Sequence, residues 1–153
     1  MRITVIAGSV FGAAHRVADD VVEQLERQDW QIERDELPDA AAIAADLPDF
    51  LLVITSTTGV GELPEELVPF YNTLQEAPPR IAGTRYSVIV LGDSSYETFC
   101  GGGLAMDAAL EDIGCQRVAG PLKIDAMETD EPEEAALEFL QNELLAVLSN
   151  QKG

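Results

Sequence analysis

Three short runs of this chain, Ile3–Ala7, Phe50–Ile54 and Tyr86–Leu91, are apolar at nearly every position. A strand with one face in water alternates apolar and polar residues. A strand that does not alternate is covered on both faces, and the sheet that satisfies this is parallel, with helices above and below. Each run stops at small or hydroxyl-bearing residues: Gly8-Ser9, Thr55-Ser56 and Gly92-Asp93. Each is then followed by apolar residues at helical spacing. These are Val17, Val21, Val22 and Leu25, then Leu67, Tyr71 and Leu74, then Leu104, Ala108, Ala109, Leu110 and Ile113. Strand and helix patterns in alternation specify an α/β fold with right-handed crossovers.

The remaining segments complete that pattern. Gln31–Glu36 reads as a short polar strand with Ile32 inward, suited to a sheet edge. Ala40–Ala45 is either a helical turn or irregular. Pro69 has to lie in or before the first turn of the helix that carries Tyr71, since deeper it would break the ladder. Pro78-Pro79 ends that helix, and Gly114 is set to cap the next one. Gln116–Leu122 supplies a fifth strand. Asp130-Glu-Pro-Glu then opens a closing helix with Leu137, Leu140, Leu144, Val147 and Leu148 on its apolar face. The expectation is α/β: one domain over residues 1–150, with a frayed end at 151–153. Its core is an open five-stranded parallel sheet in the order 2-1-3-4-5, with helices on both faces.

In such a sheet ligands sit at the carboxyl ends of the strands, where the strand order reverses, between the first and third strands here. Three unusual loops lie at carboxyl ends: 8–14, 56–64 and 92–103. The first, Gly8-Ser9-Val10-Phe11-Gly12-Ala13-Ala14, brings small residues to a helix N-terminus, where free N–H groups and the helix dipole suit a phosphate. It is neither a dinucleotide Gly-x-Gly-x-x-Gly nor a P-loop, because no Lys follows its second glycine. The other two offer hydroxyls, glycine-rich backbone and Tyr96, which suit a flat heteroaromatic ring. None of the three contains Lys or Arg. One phosphate therefore fits better than two or three, and a mononucleotide better than ATP or NADPH.

Charge sharpens the exclusions. Nine basic residues against 28 acidic ones give a net charge of −19, spread along the chain. Such a surface repels nucleic acid and anionic membrane and attracts basic partners. No apolar run approaches the roughly 18 residues a membrane span needs. Cys100 and Cys115 have no metal-ligand spacing and read as reduced thiols of a cytoplasmic protein. His15, the one histidine, reads as solvated or as facing the phosphate, and Trp30 as packing. Ser9 has no His or Asp in reach for a hydrolase triad.

Gly92-Asp-Ser-Ser-Tyr-Glu-Thr-Phe-Cys-Gly101 resembles the flavin loop of flavodoxins. Ser56-Thr-Thr-Gly-Val-Gly-Glu-Leu-Pro64 resembles their other flavin loop, in the form also used by the FMN domains of sulfite and cytochrome P450 reductases. The resemblance covers essentially the whole chain, whose length, with no insertion in the fifth strand, is similar to that of the short-chain bacterial flavodoxins. It implies an FMN site with no catalytic residue and no metal. Ser9, Val10, Phe11, Gly12, Ala13 and Ala14 would wrap the phosphate. Ser56, Thr57, Thr58, Gly59, Val60 and Gly61 would border one face of the isoalloxazine and its N5 edge, with Leu63 as cover. Tyr96 would stack on the opposite face. The backbone from Gly92, Asp93 and Ser94 through Thr98, Phe99 and Cys100 would hold the pyrimidine end. The Gly59–Val60 peptide is in the position that, in flavodoxins, turns its carbonyl toward N5 on one-electron reduction. Tyr96 and the acidic surroundings would keep the potential low. The phosphate loop departs from the family's Ser/Thr-x-Thr-Gly-x-Thr pattern: Phe11 and Ala14 stand at two of its three hydroxyl positions. Weaker FMN binding than in relatives with all three follows.

The resemblance implies a monomeric low-potential electron carrier between an NAD(P)H-dependent flavodoxin reductase and acceptor enzymes, docked through basic faces on its partners. An FMN-dependent NAD(P)H quinone or azo reductase is the alternative, and a flavin-free module of the same fold a third. A response-regulator receiver would need acidic residues where Ala7-Gly8 and Thr55-Ser56 stand.

Overall fold

The computed structural model describes residues 1–35, 37–57, 61–95 and 100–150. Five strands, β1 (Arg2–Gly8), β2 (Gln31–Asp35), β3 (Phe50–Ser56), β4 (Arg85–Gly92) and β5 (Gln116–Asp125), form one sheet in the order β2-β1-β3-β4-β5. All four pairings are parallel. Glu36, expected as the last residue of β2, and the expected frayed end at 151–153 lie outside the described residues. Helices α1 (Ala13–Glu26), α2 (Ala40–Ala45), α3 (Val68–Glu76) and α4 (Gly101–Asp112) fill the connections. After β5, α5 (Pro132–Phe139) runs through a single π turn, Leu140–Leu144, into α6 (Leu145–Asn150).

The unbroken apolar runs divide between two cores with period two. Ile3, Val5 and Ala7 of β1, Phe50, Leu52 and Ile54 of β3, and Ile89 and Leu91 of β4 pack under α1 and the closing helix. Ile6, Leu51, Val53, Tyr86, Val88 and Val90 point the other way, into residues of α2, α3 and α4. Each strand thus buries both of its faces, which is why none of these runs alternates. Trp30 packs in the first core at 6% exposure.

Four details decide or refine the sequence expectation. Asp39 caps Ala40–Ala45 by accepting the Ala41 N–H, so the segment is a helix rather than irregular. β5 runs on past Leu122 to Asp125. Pro121 lacks an N–H, but β5 is an edge strand with one side unpaired, so the proline costs no ladder bond that matters. The register against β4 shifts near Ser87, whose hydroxyl donates to Ala119 O and accepts from Ala119 N. In α4 the buried stripe runs through Gly102, Gly103, Met106, Ala109 and Leu110, which leaves Ala108 exposed. The phase is set by where the helix touches β4, and an alanine's apolar character does not by itself fix a direction. In the closing helix the buried positions Ala136, Leu140, Leu144 and Leu148 recur every fourth residue. An α-helix of 3.6 residues per turn would walk that stripe off the core, and the wider π turn restores it.

Candidate functional site: three loops at the carboxyl ends of β1, β3 and β4

The first loop joins β1 to α1. Gly12, at φ 92, occupies the left-handed region as α1 begins. This turn directs loop amides at few oxygens. Ser9 Oγ accepts from the N–H groups of Gly12 (2.7 Å) and Ala14 (3.4 Å). Val10 N–H donates to Ser56 Oγ at 3.0 Å, and Ser9 N–H to the Glu66 carboxylate at 2.9 Å. The first turn of α1 carries no acidic residue. Convergent amides at the positive end of a helix form a donor set for an oxyanion. Phe11 contributes nothing to that set. At 92% exposure its ring stands in solvent, and Val10 beside it is also exposed.

Of the second loop, Ser56, Thr57 and Gly61 onward are described; Thr58, Gly59 and Val60 lie outside the described residues. Thr57 Oγ1 is buried and has no hydrogen-bond partner among the described residues. Leu63, expected as a cover, is 7% exposed and belongs to the core formed with Leu67 and Cys100. It supports the loop from beneath.

The third loop leaves β4 at Gly92. Asp93 Oδ1 accepts from the amide and hydroxyl of Ser95, closing a tight turn. Asp125, from the end of β5, accepts the amides of Ser94 (3.0 Å) and Met127 (2.9 Å). The Ser94 hydroxyl and these amides hold its carboxyl below the usual range. Tyr96, Thr98 and Phe99 lie outside the described residues. Cys100 follows at 0% exposure, its thiol against Val90 O, and burial pushes that thiol up to about 11. It is a packing residue with very little thiolate at neutral pH.

Glycines press the third loop against the second. A Cβ on Gly102 would lie 2.7 Å from the backbone of Glu62 and Leu63, one on Gly103 2.3 Å from Val90, and one on Gly101 3.1 Å from Gly61 O. Only bare backbone lets α4 start this close to the neighbouring loop.

Three contributors were not legible in the sequence. Glu66 reads as an ordinary acidic residue at a helix start, and Asp125 lies beyond the expected end of β5. Arg34 is one charge on a polar edge strand. His15, expected to be solvated or to face the phosphate, is half-buried between Glu66 and Arg34. Its Nε2 is 3.2 Å from both Glu66 oxygens, and its Nδ1 is 3.3 Å from Arg34 Nη2.

The flavodoxin family profile matches residues 5–139. The chain belongs to the flavodoxin family. This flavodoxin is 38% identical over 140 residues to the protein MioC of Escherichia coli (strain K12), spanning 90% of this chain and 92% of that protein. It is 39% identical over 132 residues to flavodoxin YqcA of Pectobacterium carotovorum subsp. carotovorum, covering 86% and 87% of the two chains. The solved structure of a cysteine-to-serine mutant of flavodoxin from Pseudomonas aeruginosa superposes with a TM-score of 0.89 at 36% identity, over 97% of this chain and 99% of that one.

Members of this family bind FMN. The residues of this chain fit that group chemically. The amides around Ser9 Oγ are a donor set for a single phosphate, the Thr57 hydroxyl is a buried polar atom with spare bonding capacity, and the carboxyl-end loops carry no cation that would call for a second phosphate.

Proposed function

We propose that this flavodoxin is a one-electron carrier holding FMN non-covalently at the carboxyl ends of β1, β3 and β4. The observation that carries the reading is the convergence of the Gly12 and Ala14 amides on one oxygen position at the positive end of α1, in a protein of net charge −19. Backbone dipoles there attract one phosphate without recruiting the cations that a dinucleotide site needs. Ser9 to Ala14 hold the phosphate. Ser56 to Gly61 border the ring, Gly92, Asp93 and Ser94 with Thr98, Phe99 and Cys100 hold its pyrimidine end through backbone, and Tyr96 stacks on it. FMN supplies reversible one-electron chemistry when bound.

The protein's part is orientation and exclusion of water. Asp125 fixes the Ser94 peptide, the glycine contacts fix the start of α4, and Leu63 and Cys100 form the floor below. Electrons come from an NAD(P)H-dependent flavodoxin reductase and leave to acceptor enzymes, each docking a basic face on the acidic surface. The protein acts as a cytoplasmic monomer of a single domain, with no role for nucleic acid or membrane.

NADPH oxidation by the FMN-loaded protein, followed with and without a flavodoxin reductase, tests the reading. Turnover only with the reductase is expected. Turnover without it would replace the carrier by a direct quinone or azo reductase. A protein that takes up no flavin at all would leave only the fold.

A further inference from the structure

A residue from a neighbouring element fastens the phosphate loop. The 3-10 turn Glu65–Leu67 sits on the end of β1, where a Cβ on Gly8 would come within 2.6 Å of Leu67 Cγ. The missing side chain lets the turn seat itself there. Glu66 then accepts the Ser9 amide at 2.9 Å, and both its oxygens lie 3.2 Å from His15 Nε2. Arg34 Nη2 faces the other ring nitrogen, and an arginine only donates. The network therefore assigns Nδ1 as acceptor and Nε2–H as the donor to Glu66. Arg34 is itself held by Asp19 and by the His15 carbonyl. The carboxylate has a fixed seat beside the amides that converge on Ser9 Oγ.

We propose that Glu66 is a positioning residue for the phosphate loop, and that its charge sets how strongly the site prefers a phosphorylated flavin over an unphosphorylated one. The inference rests on the FMN reading above. By accepting the Ser9 N–H, Glu66 fixes the first peptide of the loop, which serves any flavin. It also holds a negative charge next to an anion site, and like charges in a partly screened site oppose each other. That opposition acts on the phosphate alone, so the two contributions separate by ligand.

Glu66→Gln keeps an oxygen that accepts the Ser9 N–H and removes the charge. Apoprotein is titrated with FMN and with riboflavin at low ionic strength, read by flavin fluorescence. The variant is expected to bind FMN about fivefold more tightly, a gain that shrinks with added salt, and riboflavin within about twofold of wild type. Glu66→Ala loses the latch as well, so riboflavin binding weakens while the preference for FMN still rises. Unchanged or weaker FMN binding in Glu66→Gln, or equal shifts for both ligands, overturns the proposal. A wild-type protein that fails to bind FMN would overturn the carrier reading instead.

Discussion

The two ends of the candidate site are built on opposite principles. The phosphate loop is held by polar atoms: the Ser9 hydroxyl, the Ser56 hydroxyl and the Glu66 carboxylate each take one or more of its amides. The loop after β4 is held from below by packing, with Gly101 and Gly102 of α4 against the backbone of the second loop, Gly103 against the Val90 side chain, and one carboxylate, Asp125, at its start. Hydrogen-bonded loops can exchange partners when a ligand arrives, at about 1 kcal/mol per net bond. Close-packed backbone has no such freedom, because overlap rises steeply with any added atom. One end of the site is therefore adjustable and the other is set by shape.

The largest effect expected from this contrast is at Gly102. A Gly102→Val side chain would run into the backbone of Glu62 and Leu63, neither of which can step aside. A loss of about 3 kcal/mol in urea unfolding is expected, at the upper end for overpacking. A midpoint unmoved by the substitution would break the claim that packing holds this end.

At the adjustable end the expected change is in affinity rather than stability. Phe11→Thr places one hydroxyl on the loop at an exposed position, while Ala14, 0% exposed in the first core, is left unchanged. Tighter FMN binding by about threefold is expected, well below the nominal ~1.5–3 kcal/mol for a bond to a charged acceptor, since backbone and water supply part of it already. Riboflavin, titrated alongside, is expected to show no gain. Equal gains for both ligands would mean that the hydroxyl acts on loop order and not on the phosphate.

Asp125 gives a pH signature to the packed end. Its carboxyl is held below the usual range, so its bonds stabilise the fold above the unfolded value of about 3.9 and fade as pH falls through the folded one. Asp125→Asn resembles the protonated acid. Its melting temperature is expected to lie below wild type at pH 7, and the gap to close below about pH 4. A gap independent of pH would assign the residue a purely steric role.

The smallest effect concerns Cys100. With the thiol buried and pushed up to about 11, a disulfide reagent at pH 8 is expected to leave it unmodified over the time in which the unfolded chain reacts fully. Fast modification of the folded protein would show that the floor of the third loop opens.

Much of this architecture follows from local pattern. The doubly buried strands and the three carboxyl-end loops are encoded by short-range periodicity, because a residue's side of a strand depends only on its neighbours in the run. The strand order followed from the few arrangements open to an alternating α/β chain with a polar second strand. Pro69 at the second position of α3 and the polar edge strand follow in the same way.

What tertiary structure alone decided is which distant side chains complete the site. Ser9 meets Glu66 57 positions away, and Ser94 meets Asp125 across 31. No periodicity links such pairs, since each contact exists only after β1, β3, β4 and β5 have taken their places. The same holds for Leu63, turned into the core, and for Ala108, turned out of it. Strand and loop were written locally, while the fastening of the phosphate loop came from the meeting of elements that the sequence keeps apart.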